Sequence, residues 1–141
     1  MITALYPARI WKEDNVYYVQ FLDLENGFTN GNTLEEAKNM AADVLSALLT
    51  SYIEHGEPIP SHSEPQKSVK DVYLIAPDAK VQAALILRTA RAKISQNAIA
   101  STMRTSWQAY QKIEQPTSNT TLAKLQKAAK ALGRDLIIEL R

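Results

Sequence analysis

The chain has 141 residues, 45% of them apolar, which is enough for one moderate core or two small ones. It contains no cysteine, which excludes a disulfide framework and a thiolate zinc site, and no apolar run approaches the roughly 20 residues that span a bilayer. The net charge of +1 conceals a division: residues 1–65 carry three Lys/Arg against ten carboxylates, a net of −7, and residues 66–141 carry thirteen against five, a net of +8.

A basic half suits a polyanion, and an acidic half suits a basic partner. The start, Met1-Ile2-Thr3, lacks a charged region ahead of an apolar stretch, so a soluble, cytoplasmic protein with no membrane association is expected. Residues 2–11 are rich in β-branched and aromatic side chains, and Lys12-Glu13-Asp14-Asn15 has the composition of a turn. Residues 16–22 read as a second strand, so a hairpin is predicted. Pro7 inside the first strand favours an edge or a bulge there. A short third strand around residues 28–30 ends at Gly31.

Thr33-Leu34-Glu35-Glu36 forms a capping box, with Thr33 as the cap and Glu36 reaching back to its amide. The helix it opens should run to about His55, with Ala37, Ala41, Val44, Leu48 and Tyr52 on the sheet, and Gly56 and Pro58 ending it. His55 is placed to cap carbonyls at that end. Residues 57–68 are dominated by proline and serine and read as a loop or linker. Another strand is expected at residues 69–76, stopped by Pro77. It either completes the N-terminal sheet or pairs with a strand at residues 135–140. The first is favoured, since three strands and one helix make a meagre core. The C-terminal strand would then present an unpaired edge suited to dimerisation.

Between these strands the period changes to that of helices. Ala83, Ile86, Leu87, Ala90 and Ile94 form one stripe, Ile99 and Met103 a second, Ala109 and Ile113 a third. Leu122, Leu125, Ala129 and Leu132 make a fourth, closed by Gly133 as a residue able to take positive φ. Ser95 and Ser106 each stand where a helix needs an N-cap, so two short helices follow in quick succession as a helix-turn-helix. The chain is therefore expected to be α+β: a β-β-β-α-β domain over residues 1–76, then a helical domain with a C-terminal strand over residues 77–141.

The second helix of such a motif lies in the major groove of DNA. Gln108 can pair bidentately with adenine, and Lys112 can donate to guanine or phosphate, with Ser106 and Gln111 as secondary candidates. Ser95 and Gln96 sit where backbone amides and short polar groups grip a phosphate. Trp107 can stack on a sugar or a thymine methyl, or pack internally, while Tyr110 reads as core. On the acidic half, Asp23 and Glu25 follow the second strand, where a loop can reach the basic groups of a partner or simply form a solvated turn. A nuclease needs several carboxylates converging on metal ions. Asp14, Asp23 and Asp43 are available, but Asp14 falls in a turn and no further carboxylate ends a matching strand. No enzyme activity, metal or cofactor is expected. His55 and His62 have no ligand or nucleophile near them in sequence. The alternative is a repressor responsive to a small ligand, though no Gly-rich phosphate cradle or arginine cluster is present to build its pocket.

Two resemblances follow from these residues. The run S-Q-x-x-I-A at 95–100, the apolar Met103, K-I-E at 112–114 and L-x-x-L-x-x-A-A-K-A-L-G at 122–133 resemble the XRE/Cro-like helix-turn-helix of phage-type repressors. Two positions depart from it: Arg104 stands where that family usually has the turn glycine, and Pro116 where glycine often follows the glutamate. A non-glycine residue forced to positive φ costs roughly 1 kcal/mol. The start Y-x-A-x-I-x-x-x-x-x-x-Y-x-V-x-F-x-D-L, then G-x-T-x-x-E-A at 31–37 and P-I-P-S at 58–61, resembles the HicB antitoxin family. That resemblance implies a partial RNase H-like N-terminal domain that binds and occludes HicA, a small basic RNA-cleaving toxin. It also implies a C-terminal domain that represses the operon of the pair by binding double-stranded operator DNA. A monomer of this size makes few phosphate contacts, so a homodimer or higher oligomer spanning two half-sites is expected.

Overall fold

The predicted hairpin is formed by β1 (Tyr6–Glu13) and β2 (Val16–Phe21), paired antiparallel from Ala8↔Phe21 to Glu13↔Val16. Asp14 and Asn15 between them both have positive φ, 50° and 65°, as a two-residue hairpin turn requires if its twist is to match the strands. The structure is a computed structural model that describes residues 1–63 and 69–141. The part of the expected loop that falls on residues 64–68 lies outside the described residues.

A third strand, β3 (Phe28–Gly31), pairs with β2, and β4 (Val72–Ile75) pairs with the free side of β1, giving an antiparallel sheet in the order β3-β2-β1-β4. The strand expected near residues 69–76 therefore completes the N-terminal sheet. β1 lies inside the sheet rather than at its edge, which corrects the reading of Pro7. The proline is tolerated because it stands at the end of the β2 ladder, which begins only at Ala8: Leu22 N–H still donates to the Pro7 carbonyl, and only the return bond, which a proline cannot make, is missing.

Helix α1 (Leu34–Glu54) follows β3, and the Thr33 hydroxyl accepts from Glu36 N–H at 3.0 Å. Its buried row is Ala37, Ala41, Leu45, Leu49 and Ile53, while Val44, Leu48 and Tyr52 are only half-buried. The helix is apolar along two adjacent rows, and the sheet takes the row at strict four-residue spacing. Tyr6, Ala8, Ile10, Val19 and Phe21 supply the buried side of the sheet. Gly31 makes the junction possible, because a Cβ there would sit 2.6 Å from the Ala37 backbone nitrogen. At the far end His55 Nδ1 lies 2.8 Å from the Ser51 carbonyl and caps it. Ser46, buried on α1, donates to the Ala42 carbonyl and accepts from Asp78 N–H at 2.9 Å, fixing the chain that leaves β4.

Residues Ala4–Asp78 make one compact unit, and Met1–Thr3 with Ala79–Arg141 make another. The second contains α2 (Ala79–Arg91), α3 (Gln96–Thr102), α4 (Trp107–Ile113) and α5 (Leu122–Ala131). Its core is Leu87, Ile99, Ala100, Met103, Tyr110, Ile113 and Ala128, with Leu125 and Leu132 partly buried against it. Three expected core positions differ: Ala109 is exposed, and so are Ile94 and Leu122. On α4 the larger Tyr110 takes the inward place, and on α2 the buried residues are Val81, Ala84, Leu85 and Leu87, with Ile86 and Ala90 half-buried. Helix α5 ends as predicted at Gly133, whose φ of 71° lets its N–H reach Lys130 O while Arg134 N–H reaches Ala129 O. Residues 135–140 form no strand, which corrects that expectation: the unit offers them no described strand with which to build a ladder. No described helix is long and apolar enough to cross a membrane.

Candidate functional site

Helices α3 and α4 are joined by residues 103–106, and both caps are the predicted serines. Ser95 Oγ accepts from Ala98 N–H and Ser106 Oγ accepts from Ala109 N–H, each at 3.1 Å. In the turn, Arg104 takes φ 56°, so the position where glycine was expected keeps its left-handed backbone with a bulky residue. Met103 fills the core below it. With Tyr110 and Ile113 locked inward, α4 turns Trp107, Gln108 and Lys112 to solvent and leaves Gln111 half-buried. Gln108 and Lys112 are four residues apart and so neighbours on one exposed row. Trp107 is 40% exposed, available at its outer edge rather than sunk in the core. Both serine hydroxyls spend their oxygen on a cap yet keep a free O–H direction at a helix start.

Glu114, fully buried at the end of α4, organises the motif from beneath. Arg91 grips it through two bonds, Nε to Oε2 at 2.7 Å and Nη2 to Oε1 at 2.9 Å. Gln96 Nε2 donates to Oε1 at 3.2 Å, and Arg88 Nε stands 3.7 Å away, an ion-pair distance without a hydrogen bond. The Glu114 hydrogen bond is the main reason that the Arg91 pKa rises. Tyr110 Oη is buried with no hydrogen bond of normal geometry, and burial first, then Glu114, push its pKa up. Glu114 thus ties α2, α3 and α4 together. Gln96, expected at a phosphate, has its side-chain amide committed to this carboxylate. Sequence reading missed the network because its members lie 18 and 23 residues apart.

The acidic loop after β2 is equally well held. Gln20 Nε2 lies within 3.3 Å of the carbonyls of Phe21, Leu24 and Gly27, and Leu24 is buried beneath. Asp23 accepts from Ser63 N–H at 2.8 Å and Ser63 O–H at 3.0 Å, so its carboxylate has an internal task. Glu25 is exposed. Tyr6 O–H donates to the Pro60 carbonyl at 2.7 Å. The described residues 57–63 are therefore fixed to the N-terminal unit rather than a free linker. On the sheet face opposite Ala8 and Ile10, Arg9 lies 4.6 Å over the Trp11 ring, which stacks on Tyr18 at 5.8 Å. This cation-aromatic patch was overlooked, although a two-residue turn at Asp14-Asn15 already pairs Trp11 with Tyr18.

Among the described residues no three His, Asp or Glu side chains gather as a metal site. The chain thus carries a stapled acidic loop on an α+β unit and an exposed polar row on a helix of a second, helical unit. Comparison with known proteins names the class. The family described as HicB_like antitoxin of bacterial toxin-antitoxin system matches residues 5–84. Antitoxin HicB 2 of Photorhabdus laumondii is 29% identical over 132 residues, 93% of this chain and 92% of the relative. Antitoxin HicB of Escherichia coli K12 is 31% identical over 121 residues, 85% of this chain and 86% of the relative. A chain of a solved HicA3 and HicB3 toxin-antitoxin complex is similar at 21% identity and a TM-score of 0.45, over 52% of this chain and 98% of that one. The chain belongs to the HicB family of antitoxins, which are not enzymes.

Proposed function

We propose that this chain neutralises a HicA-like RNA-cleaving toxin through its N-terminal unit and represses its own operon by sequence-specific DNA binding through its C-terminal unit. The observation that carries the second half is the exposed row of Gln108 and Lys112 on α4, a helix whose other side is anchored by Tyr110, Ile113 and Glu114 in a strongly basic half of the chain. In the XRE/Cro-like reading α4 enters the major groove. Gln108 pairs with adenine, Lys112 donates to guanine or phosphate, and Ser106, Trp107 and Gln111 contact the flanks. Ser95 and the backbone amide of Gln96 hold a phosphate at the start of α3, while the Gln96 side chain keeps that helix start in place through Glu114. Two copies bind the two half-sites of an operator.

Family membership and the acidic sign of residues 1–65 support the first half. The β-β-β-α-β order of the N-terminal unit fits the partial RNase H-like domain of the resemblance. Glu25, exposed on a loop stapled by Gln20 and Leu24, presents its charge to the basic toxin with little ordering cost, and Asp23 holds Ser63 beside it. Both tasks belong in the cytoplasm.

Two assays test the halves separately. In an operator mobility-shift titration, Gln108→Ala is expected to cost on the order of 1–3 kcal/mol at its cognate base. Unchanged binding by the Gln108→Ala, Lys112→Ala double variant would remove α4 as the recognition helix. In an RNA-cleavage assay with the toxin, Asp23→Ala with Glu25→Ala should weaken inhibition, and Glu25→Ala alone separates direct contact from loop support. Inhibition that survives the pair places the toxin contact elsewhere.

A further inference from the structure

In an antiparallel sheet with one side packed, the outward positions are ordinarily polar. Here most of them are not. The register sets Arg9 and Trp11 of β1, Tyr18 of β2, Phe28 of β3, and Val72 and Leu74 of β4 on the side opposite Ala8 and Ile10. Phe28 is 66% exposed and Leu74 44%, and Trp11, Tyr18 and Val72 are half-buried. A contiguous aromatic and aliphatic face of this kind marks an interaction surface. Its centre is in place before any partner arrives: the Arg9 guanidinium lies 4.6 Å over the Trp11 ring, and Tyr18 stacks beside that ring at 5.8 Å. Arginine, tryptophan and tyrosine are the residue types that dominate the energy of protein interfaces.

We propose that this open sheet face is where the toxin docks, with the carboxylates at the two ends of the face pairing with the cations that the toxin uses to hold RNA. The inference rests on the toxin-neutralising reading above and carries its contact from the loop after β2 onto the sheet. A protein that cleaves RNA must hold phosphates with Lys and Arg, so its working surface is positive. The charge of this unit complements it. Glu13 and Asp14 are exposed at the β1-β2 turn, and Glu25 is exposed on the loop that leads to Phe28 at the other end. The three Lys/Arg of residues 1–65 are each drawn down onto an aromatic ring: Arg9 on Trp11, Lys12 at 5.6 Å over Tyr17, and Lys38 at 4.4 Å over Tyr73. Held there, they do not reach across an interface toward a cationic surface. A second copy of this chain would bring a face of the same acidic sign, which disfavours self-pairing. In the complex the carboxylates orient the toxin, and the aromatic face supplies the water-excluded contact that closes its RNA site.

The chain has two tryptophans, Trp11 and Trp107. With 5-fluorotryptophan incorporated into this chain alone, titration with the unlabelled toxin of its own operon should shift the fluorine resonance that Trp11→Phe removes. In calorimetry Trp11→Ala and Phe28→Ala should each raise the dissociation constant of the toxin complex roughly tenfold or more. Their urea midpoints should stay near that of the wild type, because neither side chain belongs to the buried core. Should Trp11→Ala fail to fold, the fluorine titration of the wild-type chain decides. A Trp11 resonance that toxin leaves unmoved, or an affinity that ignores Trp11→Ala and Phe28→Ala but falls with Glu25→Ala, overturns docking on the sheet and leaves toxin neutralisation standing. A Trp11 resonance that moves with the chain's own concentration in the absence of toxin gives the face to a second copy, and also overturns it. A wild-type chain that binds no toxin overturns both.

Discussion

Removing the Glu114 carboxylate would leave Arg91 and Arg88 side by side in a largely buried place with no counter-charge, and Gln96 without its acceptor. Breaking a buried pair in this way costs about 3 kcal/mol or somewhat more, because the remaining cations stay desolvated. Glu114→Ala should show that loss in urea denaturation followed by helical circular dichroism, and a cost below about 1 kcal/mol would mean that Arg91 and Arg88 find water instead. Arg104 carries strain of the opposite kind. Its φ of 56° is a left-handed conformation that an L-residue adopts at a cost, so Arg104→Gly should stabilise the chain by roughly 0.5–1 kcal/mol, less whatever the glycine gains in unfolded freedom. The same denaturation assay reports it, and a destabilised variant would mean that the Arg104 side chain contributes more than its backbone loses. The strain at Arg104 was legible in the sequence, because a known turn demands one backbone conformation from one position. The bond from Gln96 to Glu114 was not, since it depends on how three helices meet.

Composition and turn residues placed the strands and periodicity placed the helices, but periodicity could not choose between adjacent rows of a helix. On α1 the rows of Leu48 and Tyr52 and of Leu49 and Ile53 are both apolar, and only the sheet below decides that the second is buried. Composition left residues 57–63 as a loop or a linker for a related reason: a proline- and serine-rich stretch has no period, and only the hydrogen bond from Tyr6 and the two that Asp23 accepts from Ser63 decide that it is a held loop. That fastening has a pH signature. Burial, with smaller contributions from Asp23 and Tyr52, raises the Tyr6 pKa from its usual 10.0 to about 12. A folded-state pKa above the unfolded one means that the stabilisation is complete below pH 10 and is lost as pH rises toward 12. Wild-type stability should therefore fall through that window by on the order of 1–2 kcal/mol more than that of Tyr6→Phe, which has no proton to lose. Equal alkaline slopes for the two proteins in denaturant titrations would show that the phenol is not the group responsible.

At the scale of the whole chain, the separation of −7 from +8 was visible by counting, since charge needs no geometry, and it makes salt the most direct probe of the basic half. Each phosphate neutralised by a Lys or Arg releases counterions, so log affinity falls linearly with log salt at a slope of about −0.9 per contact. A dimer of this antitoxin that makes about six to ten such contacts should lose roughly 10³- to 10⁵-fold in operator affinity between about 50 and 200 mM salt. Within that dependence Lys112 can be assigned. If its ammonium sits on a phosphate, Lys112→Ala lowers the slope by about 1 and weakens all sequences alike. If it reads guanine, the slope changes less and discrimination at one base pair is relaxed. Gln108→Ala carries no charge change, so it should leave the slope where it was while weakening the operator alone. A slope near zero for the wild-type chain would instead mean that the cationic surface does not face the phosphates, and that the charge asymmetry of the two halves serves some contact other than DNA.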